Sequence, residues 1–341
     1  MRIGVLTSGG DCPGLNAVIR SVVHRGTDVH GHEIVGILDG FLGLIEGRTR
    51  TVSHDDVTGL LTLGGTILGS ARVRRDRIAW AVENAKTLAR EIGIDALIAI
   101  GGEGTLTAAK LFSDAGLPVV GVPKTIDNDI DATDVTFGFD TAVHVATEAI
   151  DRLKTTAESH QRVMVVELMG RHTGWITLTA GMAGGAHGIL IPEKPFDIEA
   201  VARIIEDRFA RGKKFAIIAV AEGASPLPGT MRFDHGEVDQ YGHRTFGGIG
   251  NRLAHELENL LGKEARPVIL GHVQRGGTPT ARDRVLATRF GWHAVEAVQQ
   301  GAFGHFTALR RTGIELLPIG DAVTRLKTVP KDRWAESEAV L

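Results

Sequence analysis

The stretch "PKTIDNDID", residues 123–131, sets Asp127, Asp129 and Asp131 at alternate positions, with Asp134 close behind. The apolar run "LPVVGV" precedes it, so these carboxylates fall where a buried strand reaches solvent. Two carboxylates beside a hard cation can divide the work of group transfer. One acts as general base on a hydroxyl and the other assists the metal. The segment also reads as an Asx-rich turn whose aspartates bond their own backbone. That reading accounts for one aspartate and leaves the cluster unexplained. Lys124 stands directly in front of it.

Three further motifs have the residue types that hold phosphate. "TSGGDCPGLNAVIR" reads as strand, glycine turn and helix start. There Gly10 lets backbone N–H groups approach an anion, and the helix N-terminus adds partial positive charge; a tight βα turn without ligand has the same pattern. It is neither G-x-G-x-x-G nor a Walker motif, and no Walker lysine occurs, which excludes a P-loop kinase. "IAIGGEGTLTAAKLF" sets Glu103 between Gly102 and Gly104, with Thr105 expected to cap the following helix. A carboxylate among glycines at a strand end suits Mg²⁺, which takes oxygen ligands and phosphate partners; an acidic surface turn is the alternative. In "GSARVRRDR", Arg72 follows three small residues and fits a phosphate ligand, whereas Arg74 and Arg75 read as a solvated face. Arg162 in "SHQR", Arg171 in "VVELMGRHTGW", Arg266, and His272 with Arg275 in "GHVQRGG" suggest a second phosphate site. A lone His is more often structural, and no HExxH or CxxC spacing is present.

The elements that must position these residues follow an alternating plan. With 341 residues, the chain fits two domains of roughly 150 residues each. Strand candidates are "RIGVLTS", "EIVGILD", "ALIAIGG", "PVVGVPK", "RVMVVELMG", "GILIPE", "KFAIIAVAEG" and "RPVILGHV". Helical patterns separate them: "NAVIRSVVHRG", "IAWAVENAKTLAREIG", "TLTAAKLFSDAG", "DTAVHVATEAIDRLKTTAESH" and "DIEAVARIIEDRFARG". Such alternation predicts an α/β fold with parallel sheets covered on both faces, and ligands beyond the carboxyl ends of the strands. "SPLPGTMRFDHGEVDQYGHRTFGG" has no clear period and reads as a surface loop or hairpin. The 44 glycines against one tyrosine favour tight turns and ligand loops over a β-sandwich. A net charge of −3 gives no reason to expect nucleic acid or an anionic membrane as partner. Cys12 is the only cysteine, so no intrachain disulfide forms and a reducing cytoplasm is the simplest setting. "MRIGVLTSGG" reads as a first strand rather than a signal peptide, and no stretch is long and apolar enough for a bilayer.

Together "GVLTSGGDCPGLNAVIR", "GSAR", "GGEGT", "PKTIDNDI", "SHQRVMVVELMGR" and "GHVQRGG" resemble the 6-phosphofructokinase family, in the family's order and over about residues 2–320. The resemblance implies two Rossmann-like three-layer αβα domains with the active site in the cleft between them. It assigns 1–138 with about 274–322 to a larger ATP- and Mg²⁺-binding domain, 139–273 to a smaller fructose 6-phosphate-binding domain, and 323–341 to an extension without a motif. The implied reaction is phosphoryl transfer from ATP to the 1-hydroxyl of fructose 6-phosphate, the committed step of glycolysis. Asp127 then resembles the general base, with Thr125 and Asp129 as its partners. Glu103 stands at the Mg²⁺-associated acid, where the family usually has aspartate. Gly10, Phe41, Arg72, Val73, Gly102, Gly104 and Thr105 resemble the nucleotide site, with Phe41 as the adenine-stacking aromatic. Met169, Gly170, Arg171, Glu222, His272 and Arg275 resemble the sugar-phosphate site. Arg162 and Arg266 resemble residues that enter that site from a neighbouring subunit, which implies a homodimer or homotetramer.

The family divides by phosphoryl donor. Gly104 leaves room for the α-phosphate of a nucleotide, whereas pyrophosphate-using relatives commonly carry aspartate there. Lys124 points the other way, since it is common in pyrophosphate users. The reading follows Gly104, because blocking space is decisive, and expects ATP. A pyrophosphate-dependent enzyme is the alternative, and a non-catalytic sugar-phosphate or nucleotide binder is the alternative of another class. For an anionic effector, Arg20, Lys154 and Lys213 are candidates, with His24 and His54 where bacterial relatives often have arginine.

Overall fold

The computed structural model describes residues 1–233, 236 and 247–340. In chain order its strands are β1 (Arg2–Ser8), β2 (Glu33–Ile37), β3 (Thr49–Thr51), β4 (Ala96–Gly101), β5 (Val119–Thr125), β6 (Phe137–Gly138), β7 (Val163–Leu168), β8 (Gly188–Leu190), β9 (Ala216–Ala221), β10 (Ala265–Ile269), β11 (His305–Arg310) and β12 (Gly313–Pro318). All eight strands expected from apolar runs are present. The chain divides into two compact units, Met1–Thr141 with Arg275–Leu326 and Ala142–Gln274 with Lys327–Leu341. The last segment, which carries no motif, thus packs largely with the second unit. Its helix Lys331–Val340 brings Trp334 against the Lys194 ammonium, 3.1 Å from the ring centre. Most of the expected loop between Ser225 and Gly248 lies outside the described residues.

The first unit holds an eight-stranded sheet ordered β12-β11-β5-β4-β1-β2-β3, with β6 added beside β5. Its centre is parallel, and antiparallel β3 and β12 lie at the two ends of that path. Strands β4 and β5 are buried on both faces, as their unbroken apolar runs require. The chain runs from β1 outward to β2, then returns to place β4 on the other side of β1. This reversal puts the crevice at the carboxyl ends of β1 and β4, where open α/β sheets bind ligands. The hairpin β11–β12 lay outside the expected strands. In β11 only the three residues Phe306, Thr307 and Ala308 are buried, and in β12 none is, so neither strand carries a long apolar run. The pattern expected as one helix, "IAWAVENAKTLAREIG", is two helices, Arg75–Glu83 and Ala85–Ile92, broken at Asn84.

The second unit holds four parallel strands ordered β10-β7-β9-β8. A core including Val163, Val165, Ile218, Val220, Ile205 and Leu253 fills the space between this sheet and its helices. Helix Ile198–Ala210 starts at Asp197, whose carboxylate accepts the Glu199 N–H at 3.0 Å.

Helix Phe139–His160 leaves the first unit at a polar joint. Asp283, fully buried near the start of helix Ala281–Gln299, accepts from the Thr141 N–H at 2.8 Å and the Thr141 hydroxyl at 2.6 Å. Burial outweighs these bonds and pushes the carboxyl up to about 6. Between about pH 4 and pH 6 the folded chain therefore holds a proton that the unfolded chain releases. The stability this contributes is full below the unfolded value and is lost as pH rises through the folded one, about 3 kcal/mol in all. Asp283→Asn keeps an acceptor for Thr141 and cannot ionise. Its stability in urea should gain on the native protein between pH 4.5 and pH 7.5; parallel pH profiles would refute the buried titration.

Candidate active site

Strand register assembles the first cluster. Ser8 of β1 pairs with Gly101 of β4, and Gly101 pairs with Pro123 of β5. The motifs that follow, Gly9-Gly10, Gly102-Glu103-Gly104 and Lys124-Thr125-Ile126-Asp127, therefore emerge side by side. Adjacent strands lie about 4.8 Å apart, so three motifs far apart in sequence share one rim about 10 Å wide.

Hydrogen bonds join a fourth motif to this rim. The Thr7 hydroxyl donates to the Gly69 carbonyl at 2.8 Å, and the Ser70 hydroxyl donates to the Gly9 carbonyl at 2.6 Å. These two bonds dock the "GSAR" loop, with Arg72 on its exposed side, against the end of β1. Asn16, buried on helix Leu15–His24, reinforces the dock. Its amide donates to the carbonyls of Leu63 and Gly64 and accepts the Ile67 N–H at 2.9 Å. Sequence reasoning passed over Asn16, although its place on an apolar helix face marks a buried polar group that must find partners. Val73 packs against the first unit's core.

Lys124 is 4% exposed and donates to the Gly10 carbonyl from beneath the glycine loop. Burial lowers its pKa, the Arg275 guanidinium adds to the fall, and Asp11 and Asp127 oppose it. Arg275 lies on the same loop: a Cβ placed on Gly10 would fall 2.5 Å from an Arg275 nitrogen. The absence of a side chain at Gly10 leaves room for the guanidinium in this position. The resemblance groups Arg275 with the sugar-phosphate residues, but here its guanidinium belongs to the first unit's glycine rim.

Glu103 opens helix Glu103–Asp114 and accepts the Thr107 hydroxyl at 3.1 Å. Gly102, not Thr105, is the N-cap; Thr105 sits within the first turn and is 6% exposed. Its hydroxyl lies 3.6 Å from where a Gly9 Cβ would be. Gly104 is different from its neighbours. It is exposed, its φ is not left-handed, and a Cβ there would meet nothing within 4 Å. Neither backbone conformation nor packing requires glycine at this position. On β5, the Asp127 N–H donates to the Thr125 hydroxyl at 3.1 Å, which fixes the turn carrying the Asp127 carboxylate; half-buried Asp129 follows two residues on. Phe41 must be withdrawn from the nucleotide set. It is 3% exposed and its ring stacks on Phe112 with centroids 5.3 Å apart, which leaves no face for a base.

The second unit carries its own cavity of about 350 Å³ at the carboxyl rim of its sheet. Met169 follows β7, Glu222 follows β9 and His272 follows β10, and all three line it. Gly170 has φ +141°, and a Cβ at Gly223 would lie 1.9 Å from the Arg171 carbonyl, so Arg171 runs close over a glycine. The sequence reading missed Glu167, Asn251 and Gln274. Glu167 is 3% exposed and accepts the N–H groups of Gly248 and Gly250, at 3.3 and 2.7 Å, at the start of helix Ile249–Leu261. Gln274 is fully buried and accepts the Met169 N–H at 2.8 Å. Both hold the rim from below.

Arg162 and Arg266 are placed apart from this cavity. Both bond the Glu264 carboxylate, and the Arg162 bond holds that carboxyl below its usual range. They lie where β7 and its neighbour β10 begin, whereas Met169 and Arg171 follow the far end of β7. A strand rises about 3.3 Å per residue, so roughly 20 Å separates Arg162 from Met169 in the same chain. Of the effector candidates, Arg20 lies in the first unit, as do His24 and His54 that stand where relatives often have arginine, and Lys154 and Lys213 lie in the second. Among the described residues no helix is long and apolar enough to cross a membrane.

A phosphofructokinase family model matches residues 2–298, and the chain belongs to that family. An ATP-dependent 6-phosphofructokinase 2 of Streptomyces coelicolor is 67% identical over 340 residues, with 100% of both chains covered. A pyrophosphate–fructose 6-phosphate 1-phosphotransferase of Amycolatopsis methanolica is 58% identical, with 99% of each covered. Among solved structures, Pichia pastoris phosphofructokinase in the T-state is 34% identical with a TM-score of 0.81, the match covering 99% of this chain and 38% of that one.

Gly104 offers a direct check on the rim. A methyl group there meets open space and relieves the helix of a flexible residue, so Gly104→Ala should stabilise the free protein by about 0.4–1 kcal/mol in chemical denaturation. A destabilised variant would show that the fold, rather than a ligand, demands glycine.

Proposed function

We propose that this chain is an ATP-dependent 6-phosphofructokinase, transferring the γ-phosphoryl group of ATP to the 1-hydroxyl of fructose 6-phosphate. The observation that carries the reading is the register-aligned rim of β1, β4 and β5, where two glycine loops, Arg72, Arg275 and the carboxylates of Glu103, Asp127 and Asp129 emerge together. Phosphoryl transfer asks little covalent chemistry of a protein. It asks for in-line positioning and for positive charge on the transferring group.

In this reading, N–H groups of Gly9-Gly10 and of the helix start at Gly102–Thr105 cradle the donor's phosphates. Arg72 and Arg275 hold the phosphoryl oxygens as charge shifts toward the leaving group. The Asp127 carboxylate accepts the proton of the 1-hydroxyl, and Thr125 fixes the turn that presents it. A hard divalent cation such as Mg²⁺, which takes oxygen ligands and phosphate partners, would be held from the protein side chiefly by the Glu103 carboxylate. When bound, that ion neutralises phosphate charge. Gly104 selects the nucleotide: with no side chain and open space around it, it admits an α-phosphate. Lys124 reads as a support of the loop, since its ammonium is taken up by the Gly10 carbonyl. The Streptomyces relative named as ATP-dependent supports this donor, and the Amycolatopsis relative named for pyrophosphate marks the competing one. Met169, Gly170, Arg171, Glu222 and His272 bind the sugar phosphate. A lone buried cysteine suits a cytoplasmic enzyme.

Arg162 and Arg266 act, in the same proposal, on the sugar-phosphate site of another subunit. The length of β7 keeps them from Met169 of their own chain, which leaves exchange between subunits as the way for both groups to share a substrate. The smallest active species is then a homodimer, or a homotetramer of such pairs.

One mixing experiment tests the base and the sharing together. Asp127→Asn should lower kcat by roughly 10²–10⁴-fold with little change in substrate KM. Arg162→Ala should chiefly raise the KM for fructose 6-phosphate. Reassembled from a mixture of the two, hybrids contain one intact site, so activity should reappear. Near-normal turnover of Asp127→Asn overturns the base, and a mixture no more active than its components overturns the sharing.

A further inference from the structure

A second cluster of potential ligands stands away from the rim. Helix Leu15–His24 ends in His24, and the chain continues through a π-helical turn, Arg25–Val29, that carries Asp28. Such wide turns cost hydrogen-bond geometry and are found frequently at functional sites. Here the turn brings Asp28 back toward His24, with the carboxylate 3.4 Å from His24 Nδ1. The other carboxylate oxygen lies 2.5 Å from His54 Nε2. His54 begins helix His54–Val57, whose start is locked by a capping box between Ser53 and Asp56. The two imidazoles meet edge to face with centroids 4.5 Å apart, and one ligand atom from each of the three residues lies within 4.8 Å of the others.

We propose that His24, Asp28 and His54 form a binding site for a divalent transition-metal ion of the Zn²⁺ class. Two imidazoles and one carboxylate are a ligand set that Zn²⁺, Ni²⁺ and Co²⁺ accept, whereas Mg²⁺ and Ca²⁺ prefer oxygen alone. Ligands about 2.1 Å from a tetrahedral ion stand about 3.4 Å from one another, close to the spacing already present. The side chains are 38%, 52% and 43% exposed, so an ion has an entry path and water fills the remaining positions. An exposed His–Asp pair contributes little to stability by itself. Two histidines from separate segments turned onto one carboxylate are better accounted for as a ligand set than as a stabilising ion pair. The consequence is a clasp between the end of the first long helix and the helix at residue 54, distinct in its chemistry from the Glu103 carboxylate at the glycine rim.

The test is titration of the native, metal-stripped protein with Co²⁺ at pH 7.5, following its visible absorption, with Zn²⁺ as competitor. The site predicts one saturable Co²⁺ ion per chain, displaced by Zn²⁺. His24→Ala and His54→Ala should each weaken binding by at least the 10–100-fold that losing an outer-shell partner costs. Asp28→Asn, which keeps the local shape, should also weaken it. All three variants should retain native circular dichroism. Absence of saturable binding in the native protein overturns the proposal, as does unchanged affinity in the three folded variants.

Discussion

The register of β1, β4 and β5 is the constraint on which the rest of the first unit depends. Side chains in a strand alternate faces, so a slip of one residue would send every side chain to the opposite face, into packing shaped for its neighbours. The three strands are buried along nearly their whole length, which penalises such a slip heavily. Hydrophobic burial thus does the positioning. It sets Ser8, Gly101 and Pro123 in line, and the chemistry-bearing residues follow as consequences.

What burial places, charge then strains. Lys124 and Arg275 bring two cations to one glycine loop. The Lys124 ammonium is buried, and its pKa falls accordingly. Asp11 and Asp127 offset part of the cost, as does the Gly10 carbonyl. A site so arranged has its charges fixed in place before any anion arrives. That is the preorganisation phosphoryl transfer needs, because fixed charges need not reorganise as the bond breaks.

Much of this was legible in the sequence where the signal was local. Unbroken apolar runs marked β4, β5, β7 and β9, and glycines with charged residues marked the loops after them. Legibility failed where the outcome depended on partners distant in sequence. Phe41 is an aromatic in a plausible place, but the neighbour that takes its face, Phe112, is seventy-one positions on. Arg275 follows a motif of the second unit, yet its guanidinium lies on Gly10. Glu167 and Gln274 satisfy backbone groups that only the fold brings near them, whereas Asn16 is marked locally by its place on an apolar helix face. Strands β11 and β12 carry no long apolar run, and the pairing of β11 with β5 and of β12 with β11 makes them sheet.

The central claim is that the open space at Gly104 admits a nucleotide, with Lys124 serving the loop rather than choosing the donor. Initial rates of the purified protein with ATP and with pyrophosphate, at saturating fructose 6-phosphate and Mg²⁺, test it most directly. The account predicts turnover with ATP and little or none with pyrophosphate. A preference for pyrophosphate would contradict it and make Lys124 the residue that sets the donor.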